Sequence, residues 1–590
     1  MLLLLLACKT PEPVPFDPLA VFPSSELVSD GHLDIPQDLL TAAETPLPVA
    51  RLEHRSGFSV VQTTVFDLGV QIDPSSLPGL DQVDQAGSVQ IWDLTVGERL
   101  PCWAEVDAYP QDTEIPTLLV RPAAPLPVGH QVAVIVLDSV RTSEDTPVPS
   151  PAWWTAAQAG EPLEGADSAH WAGLATSLAE LGVEGVVAAT DFPVGEGTAP
   201  LRHMAASTQT PTEFSLYKVS DVDEGAAVEP GTWRLIQGHF RVPSYLNEDG
   251  AFTLDSEGLP IEQGSYDADL MVLVPESARA GADAVWIFGH GIFSGPGDYL
   301  DVEGDSNGVI ALANEARAIV VATRWRGLTR TDLPSAVAAG NDFGRIVEVT
   351  DKLAQGVADT LALERLIVDG ALFDDPALAG LWDGEHLGYY GISLGGIQGA
   401  TFLSLQEDIE FGVLHVGGSA WSTMLERSAN WTLFEELLVP SIPSAGDRQR
   451  LYAASQLYWD VSDPAGFTAE LQGVDTLWQV ALGDEQVPNR TTWLLARGAE
   501  MPQVGPAVEE VWGLSQIEAG QDSRGVVIFD PQRGLPAEAN RPAEVTGAHT
   551  SPRVWSGARL QAARYLDPSD PGVIAHYCGE DPCTADNPGP

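Results

Sequence analysis

The sequence predicts an α/β chain in two parts: an all-β sandwich over residues 31–145, then a mostly parallel eight-stranded sheet with helices on both faces over 230–570. Two observations carry this. From about residue 230, short apolar runs alternate with stretches of helical periodicity, the pattern of strands joined by crossover helices. Before residue 145, short alternating runs recur between Pro, Gly, Asp and Ser, with no helical stretch among them. A chain of 590 residues leaves room for two to four domains at roughly 150 residues each.

Charge narrows the function. Acidic residues outnumber basic ones 84 to 29, for a formal charge of −55 and a sequence pI near 4.2. That balance argues against nucleic acid, whose binding needs a basic face to displace counterions, and against electrostatic docking on anionic headgroups. The hydrophobic share of 44% is that of a folded chain. Lys9, Lys218 and Lys352 are the only lysines, so the positive charge is nearly all arginine. A salty habitat, genome composition or an exported life would each produce that deficit.

The chain opens Met1-Leu2-Leu3-Leu4-Leu5-Leu6-Ala7-Cys8. This resembles the end of a bacterial lipoprotein signal peptide, which implies cleavage before Cys8 and lipidation there. It departs from the pattern in having no basic n-region and an apolar stretch shorter than the usual ~7–15 residues, as a start placed further upstream would explain. The resemblance implies a cell-envelope lipoprotein, and Lys9 in place of Asp is compatible with the outer membrane or cell surface. No later stretch approaches the roughly 20 apolar residues of a membrane helix.

Residues 9–30 are Pro-rich and aperiodic, the composition of a tether. The β region follows, with Phe58–Val61, Val89–Trp92 and Gln131–Val136 as its clearest runs. Phe22-Pro23-Ser24-Ser25, Asp30–Pro36 and the Pro-Leu-Pro-Val-Gly-His segment at 125–130 resemble the Ig-like N-terminal region of surface-exposed bacterial lipase-type lipoproteins. Residues 146–229 read as a connector. Within it Trp171, Leu174, Leu178 and Leu181 predict a helix capped by Asp167 or Ser168, and 185–192 a strand. The eight strands expected beyond it are 233–242, 269–274, 284–288, 318–323, 386–390, 410–416, 476–481 and 526–529.

The chemistry centres on Gly391-Ile392-Ser393-Leu394-Gly395, where a predicted strand runs into Gly-x-Ser-x-Gly and a small-residue helix follows. In such an elbow the serine occupies a sharp turn, so residues two before and two after must be small; Gly391 and Gly395 meet that demand. Here the chain resembles the α/β-hydrolase superfamily, over about residues 230–570. The superfamily orders its triad Ser, then Asp or Glu, then His. Leu482-Gly483-Asp484-Glu485-Gln486-Val487-Pro488 matches the acid turn, which makes Asp484 the acid and leaves Glu485 as the adjacent alternative. Thr546-Gly547-Ala548-His549 follows the last strand and makes His549 the base. The strand 284–288 ends in Gly289-His290-Gly291, resembling the oxyanion loop, so the backbone N–H groups of Ile292 and Leu394 are the implied oxyanion donors and His290 shapes the loop. Residues 421–473 stand where hydrolases carry a cap.

Lesser features have plainer readings. Asp301, Glu303, Asp305 and Asn307 alternate in one loop, but Ser306 stands where a calcium loop needs glycine, so a solvated loop is expected and no metal. Arg324, Arg326 and Arg330 are expected to pair with acids. Cys578 and Cys583 flank a short turn in the tail (571–590) and are expected to form a disulfide, while Cys102 is expected as a buried thiol. The resemblance implies a cofactor-free serine hydrolase cleaving carboxylic esters through an acyl-enzyme, with a small-molecule or lipid ester as substrate and a membrane as its anchor. A non-catalytic surface lipoprotein that binds or adheres is the alternative.

Overall fold

The computed structural model describes residues 12–41, 44–79, 87–110, 114–369 and 371–590, with the side chain of Glu303 undescribed. The leader and the lipidation expected at Cys8 lie outside these residues. Two compact units are present. One takes the described residues up to Thr41 together with Leu52–Glu196 and Pro443–Ala454; the other takes the described part of Ala42–Arg51 with Gly197–Ile442 and Ser455–Pro590.

The first unit holds two four-stranded antiparallel sheets. In one the order is Val186–Pro193, Gln131–Leu137, Val89–Asp93, Glu98–Leu100. In the other it is Val21–Phe22, Thr64–Phe66, Leu118–Pro122, Cys102–Val106. This corrects two expectations. An all-β module confined to 31–145 does not close on itself, because each sheet takes an edge strand from outside that range. Residues 12–30 are not a free tether either. Val14–Pro15 pairs with Leu163–Glu164, and Phe16 packs on Trp153 and Trp171 at ring separations of 5.4 and 5.1 Å. Two-residue strands carry no periodicity, which is why composition alone reads them as linker. The expected helix is Ser168–Glu180, and Asp167 caps it by accepting from the N–H groups of Ala169 and His170. The unit also holds a second helix, Ala152–Ala159. Cys102 is buried, which pushes its thiol up to about 12 and leaves it inert.

The second unit is built on a twelve-stranded sheet. Its strands, in chain order, are β1 (Phe214–Asp221), β2 (Thr232–Pro243), β3 (Ser265–Pro275), β4 (Ala284–Gly289), β5 (Ala318–Ala322), β6 (Leu387–Ile392), β7 (Phe411–His415), β8 (Asp475–Ala481), β9 (Gln503–Gly505), β10 (Gln516–Glu518), β11 (Gly525–Asp530) and β12 (Cys583–Thr584). In space the order is β1-β2-β3-β5-β4-β6-β7-β8-β11-β9-β10, with β12 also on β11. The first three strands form an antiparallel meander, β3 meets β5 antiparallel, and the pairs from β5 onward are parallel. All eight expected strands are present within a few residues of their expected ends. The four extra ones correct the count. β1 is largely exposed, and β9, β10 and β12 have two or three residues each, so none shows the apolar run of a buried parallel strand.

Among the helices of this unit are α1 (Val309–Ala316), α2 (Val347–Val368), α3 (Leu394–Leu403), α4 (Trp421–Arg427), α5 (Thr432–Ser441) and α6 (Ser556–Tyr565). Alternation along the strands sends side chains to two cores. Trp286 and Phe288 of β4 and Tyr390 and Ile392 of β6 join Val309, Ala558 and Tyr565 on one face. On the other, Tyr389 of β6 packs on Phe402 of α3 with ring centroids 5.4 Å apart, and α3 contacts α2. The apolar strands β4 to β8 read as continuous buried runs because both faces are covered. Among the described residues no helix is long and apolar enough to cross a membrane. In the tail the Cys578–Cys583 disulfide, with Cα atoms 5.3 Å apart, closes a small loop, and β12 pairs that loop to β11.

The buried α2 carries a pH-sensitive contact. The Glu364 carboxylate accepts the N–H groups of Asp408 (3.0 Å) and Glu407 (3.4 Å), and burial nonetheless pushes the carboxyl from its ordinary 4.5 up to about 7. A carboxyl raised on folding binds its proton more tightly in the native state. Its stabilisation is therefore complete below the unfolded value and is lost as pH rises through the folded one. Glu364→Gln is expected to remove a decline of stability between about pH 4.5 and 7, on the order of 3 kcal/mol at most. Denaturant midpoints of both proteins across that window measure it.

Candidate active site

Four loops at the carboxyl ends of the parallel strands come together here, where open α/β sheets place their ligands. β6 ends at Ile392, and α3 begins at Leu394. Between them Ser393 sits at φ 59°, ψ −115°, a conformation that costs a residue with a side chain of order 1–3 kcal/mol. Its N–H donates to the His415 carbonyl of β7 (2.9 Å), and its carbonyl accepts Gly396 and Ile397 N–H at 2.8 and 2.9 Å.

The glycines around it are dictated by contact. A Cβ on Gly391 would overlap the Gly395 carbonyl, and one on Gly395 would overlap the Gly289 carbonyl at the end of β4. Strand β4, the elbow and α3 thus approach backbone to backbone. A Cβ on Gly291 would lie 3.5 Å from the Ser393 Cβ, which puts the His290–Gly291–Ile292 loop directly against Ser393. Among the described residues neither the Ile292 N–H nor the Leu394 N–H has a protein acceptor. Both expected oxyanion donors are therefore unspent. His290 is fully buried between two backbone partners: its Nδ1 lies 2.9 Å from the Gly291 carbonyl, and its Nε2 accepts Trp325 N–H at 3.0 Å. Burial lowers it to about 4, so it is neutral and shapes the loop.

Asp484 follows β8, past Gly483 at φ 74°. Its Oδ1 accepts Gln486 and Val487 N–H at 2.9 and 2.8 Å, fixing the carboxylate toward His549. The His549 Nδ1 donates to Oδ2 at 2.7 Å and lies 2.9 Å from Oδ1, with both side chains 2% exposed. An Nδ1–H committed to a carboxylate leaves Nε2 as the basic nitrogen. The structure therefore joins the expected acid to the expected base. It does not join the expected base to the expected nucleophile: among the described residues Ser393 Oγ has no hydrogen-bond partner. Such contacts commonly tighten only when substrate binds.

Glu485, the alternative acid, does something else. Oε1 accepts Gly547 N–H (3.1 Å), and Oε2 accepts His549 N–H (3.1 Å) and the Thr546 hydroxyl (3.0 Å). Burial pushes this carboxyl up, but these donors, His549 N–H foremost, outweigh it and hold the group below its ordinary value. Two adjacent carboxylates thus divide the work, one on the imidazole and one on the backbone that carries it. Sequence reasoning weighed Glu485 only as a competitor; its loop-holding role has no sequence signature. His415 of β7 was likewise passed over. It is buried with its Nδ1 3.0 Å from Gln479 Oε1, and burial lowers it to about 3, so it is neutral.

No family model matches the chain. No curated protein is similar enough in sequence to match either. Among solved structures it is similar to acetyl xylan esterase 1 from Thermoanaerobacterium sp. JW/SL YS485, at 16% identity and a TM-score of 0.33 over 57% of this chain and 89% of that one. It is also similar to the acylaminoacyl peptidase of Pyrococcus horikoshii, at 14% identity and a TM-score of 0.31 over 59% of this chain and 47% of that one. The acetyl xylan esterase of Paenibacillus sp. R4 matches at 11% identity and 0.31 over 57% and 87%. At these scores none of the likenesses decides an activity.

The remaining candidates are spoken for. Asp305 caps α1 by accepting Ile310 and Ala311 N–H. Arg324 pairs with Asp269 and Arg330 with Asp298, while Arg326 lies 4.6 Å over the Tyr266 ring.

The division between the two acids is testable. Asp484→Asn is expected to cut turnover by ~10³–10⁴, the cost of the wrong imidazole tautomer, with little loss of stability. Glu485→Gln leaves one acceptor oxygen where two are used, at about 1–3 kcal/mol for the unsatisfied donor, and is expected to show chiefly as a lowered Tm. Equal losses of activity with equal stability would void the assignment.

Proposed function

We propose that this protein is a serine hydrolase that cleaves carboxylic esters through an acyl-enzyme. The observation that carries the reading is the strained Ser393 between β6 and α3, with the Asp484–His549 pair on the loops after β8 and β11. Ser393 Oγ attacks the acyl carbon while His549 Nε2 takes its proton, and Asp484 stabilises the imidazolium that forms. The Ile292 and Leu394 N–H groups receive the oxyanion. His549 then returns the proton to the leaving alkoxide, and water, activated by the same imidazole, releases the acid.

An apolar cavity of about 30 Å³ supports a small acyl group. It is lined by Ile292 and Phe293 of the oxyanion loop, by Leu328 and Gly340, and by Trp431 and Phe434 at the cap. Phe434 stacks on Phe293 at 6.0 Å and on Trp431 at 5.3 Å, so aromatic rings form one wall. We read the cavity as the space for a short acyl group such as a methyl or ethyl. The N-terminal Leu-Leu-Ala-Cys run supports an envelope location with Cys8 as the lipid anchor, which metabolic labelling with an alkynyl fatty acid tests against Cys8→Ala.

Steady-state hydrolysis of p-nitrophenyl esters tests the reading. Acetate and propionate are expected to exceed octanoate by about tenfold or more in kcat/KM, at roughly 1.4 kcal/mol per factor of ten. Ser393→Ala is expected to abolish the activity, and Phe434→Ala to move the preference toward longer chains. No Ser393-dependent hydrolysis by folded protein would favour the non-catalytic surface lipoprotein.

A further inference from the structure

The loop that supplies Ile292 also holds a phenol in an unusual state. Tyr299, in the short helix Gly297–Leu300, is buried with its ring 5.3 Å from Phe288. Its oxygen accepts the Gly291 N–H at 3.1 Å. Among the described residues the phenol's own hydrogen has no acceptor. A donor left unused in a buried apolar setting is costly, and such groups persist where a ligand completes them.

The position of that hydrogen matters. A Cβ on Gly291 would overlap the Tyr299 oxygen and would also lie 3.5 Å from the Ser393 Cβ. Phenol and nucleophile therefore face one another across the space of a single carbon, kept open because residue 291 is glycine. A carbonyl carbon brought onto Ser393 Oγ, with its oxygen toward the Ile292 N–H, fills that space.

Resting on the reading of Ser393 as nucleophile, we propose that the Tyr299 hydroxyl is a third oxyanion donor, beside the Ile292 and Leu394 N–H groups. As the Oγ–C bond forms, the carbonyl π pair moves onto oxygen and the serine proton goes to His549 Nε2. The Tyr299 O–H hydrogen-bonds the new oxyanion and keeps its proton. When the pair returns to re-form the carbonyl, the bond to the leaving oxygen breaks and His549 protonates it. The Gly291 N–H holds the phenol oxygen still, so the donor is oriented before charge develops.

The test starts from the full wild-type chain. Ester hydrolysis abolished by Ser393→Ala establishes the parent reading, and its absence overturns both. Tyr299→Phe, which keeps the ring against Phe288, is then expected to lower kcat about 10²-fold with KM nearly unchanged. Its affinity for an alkyl boronic acid, which forms a tetrahedral adduct on serine, is expected to fall by a similar factor, while affinity for the planar product carboxylate holds. Wild-type kcat, or boronate and carboxylate affinities falling together as from a displaced loop, overturns the proposal. Should Tyr299→Phe fail to fold, 3,5-difluorotyrosine at 299 keeps the oxygen but loses its proton near neutral pH. Activity is then expected to fall as that phenol ionises, and an unaltered pH profile contradicts the proposal.

Discussion

The site depends on one close backbone approach. Gly289 at the end of β4, Gly391 at the end of β6 and Gly395 in the first turn of α3 stand so near that a Cβ on either elbow glycine would overlap backbone. Only with all three lacking side chains does α3 seat against the two strands while Ser393 is held at positive φ between them. Packing supplies what that strained turn costs: Phe402 of α3 rests on Tyr389, whose hydroxyl donates to the Gly395 carbonyl at 2.5 Å. The same approach presses the His290–Gly291–Ile292 loop onto Ser393. On the proposed reading, one contact thus fixes both the attacking atom and the pocket that receives the charge.

A second constraint acts on His549, the proposed base. His549 lies on a long loop after β11, where little regular structure would hold it. Neighbouring carboxylates on the β8 loop do so instead, Asp484 through the imidazole and Glu485 through the backbone of 546–549. Both are buried, and both are satisfied by several donors, which is what makes buried carboxylates tolerable. The imidazole's direction is set by interactions with a loop some sixty residues earlier in the chain.

Much of this was legible in the sequence, for identifiable reasons. The buried parallel strands announce themselves as apolar runs, and Gly-x-Ser-x-Gly after such a run has a steric meaning that one sequence conveys. What escaped is short, polar or relational. The paired dipeptides at 14–15 and 21–22 have no period to detect. The edge strand Phe214–Asp221 carries Ser215, Lys218 and Ser220 because it is largely exposed. Glu485 holding a loop and Tyr299 under Gly291 are facts of three-dimensional neighbourhood, and no spacing encodes them.

The account stands or falls on whether Ser393 is an activated nucleophile, since the structure joins His549 to Asp484 but gives the serine hydroxyl no partner among the described residues. Reaction of the full chain with a fluorophosphonate probe, followed by peptide mass mapping, measures this directly and requires no knowledge of the substrate. The account predicts a single adduct on Ser393, formed by wild-type protein and lost in His549→Ala. Folded protein that remains unlabelled, or is labelled at another serine, would contradict it.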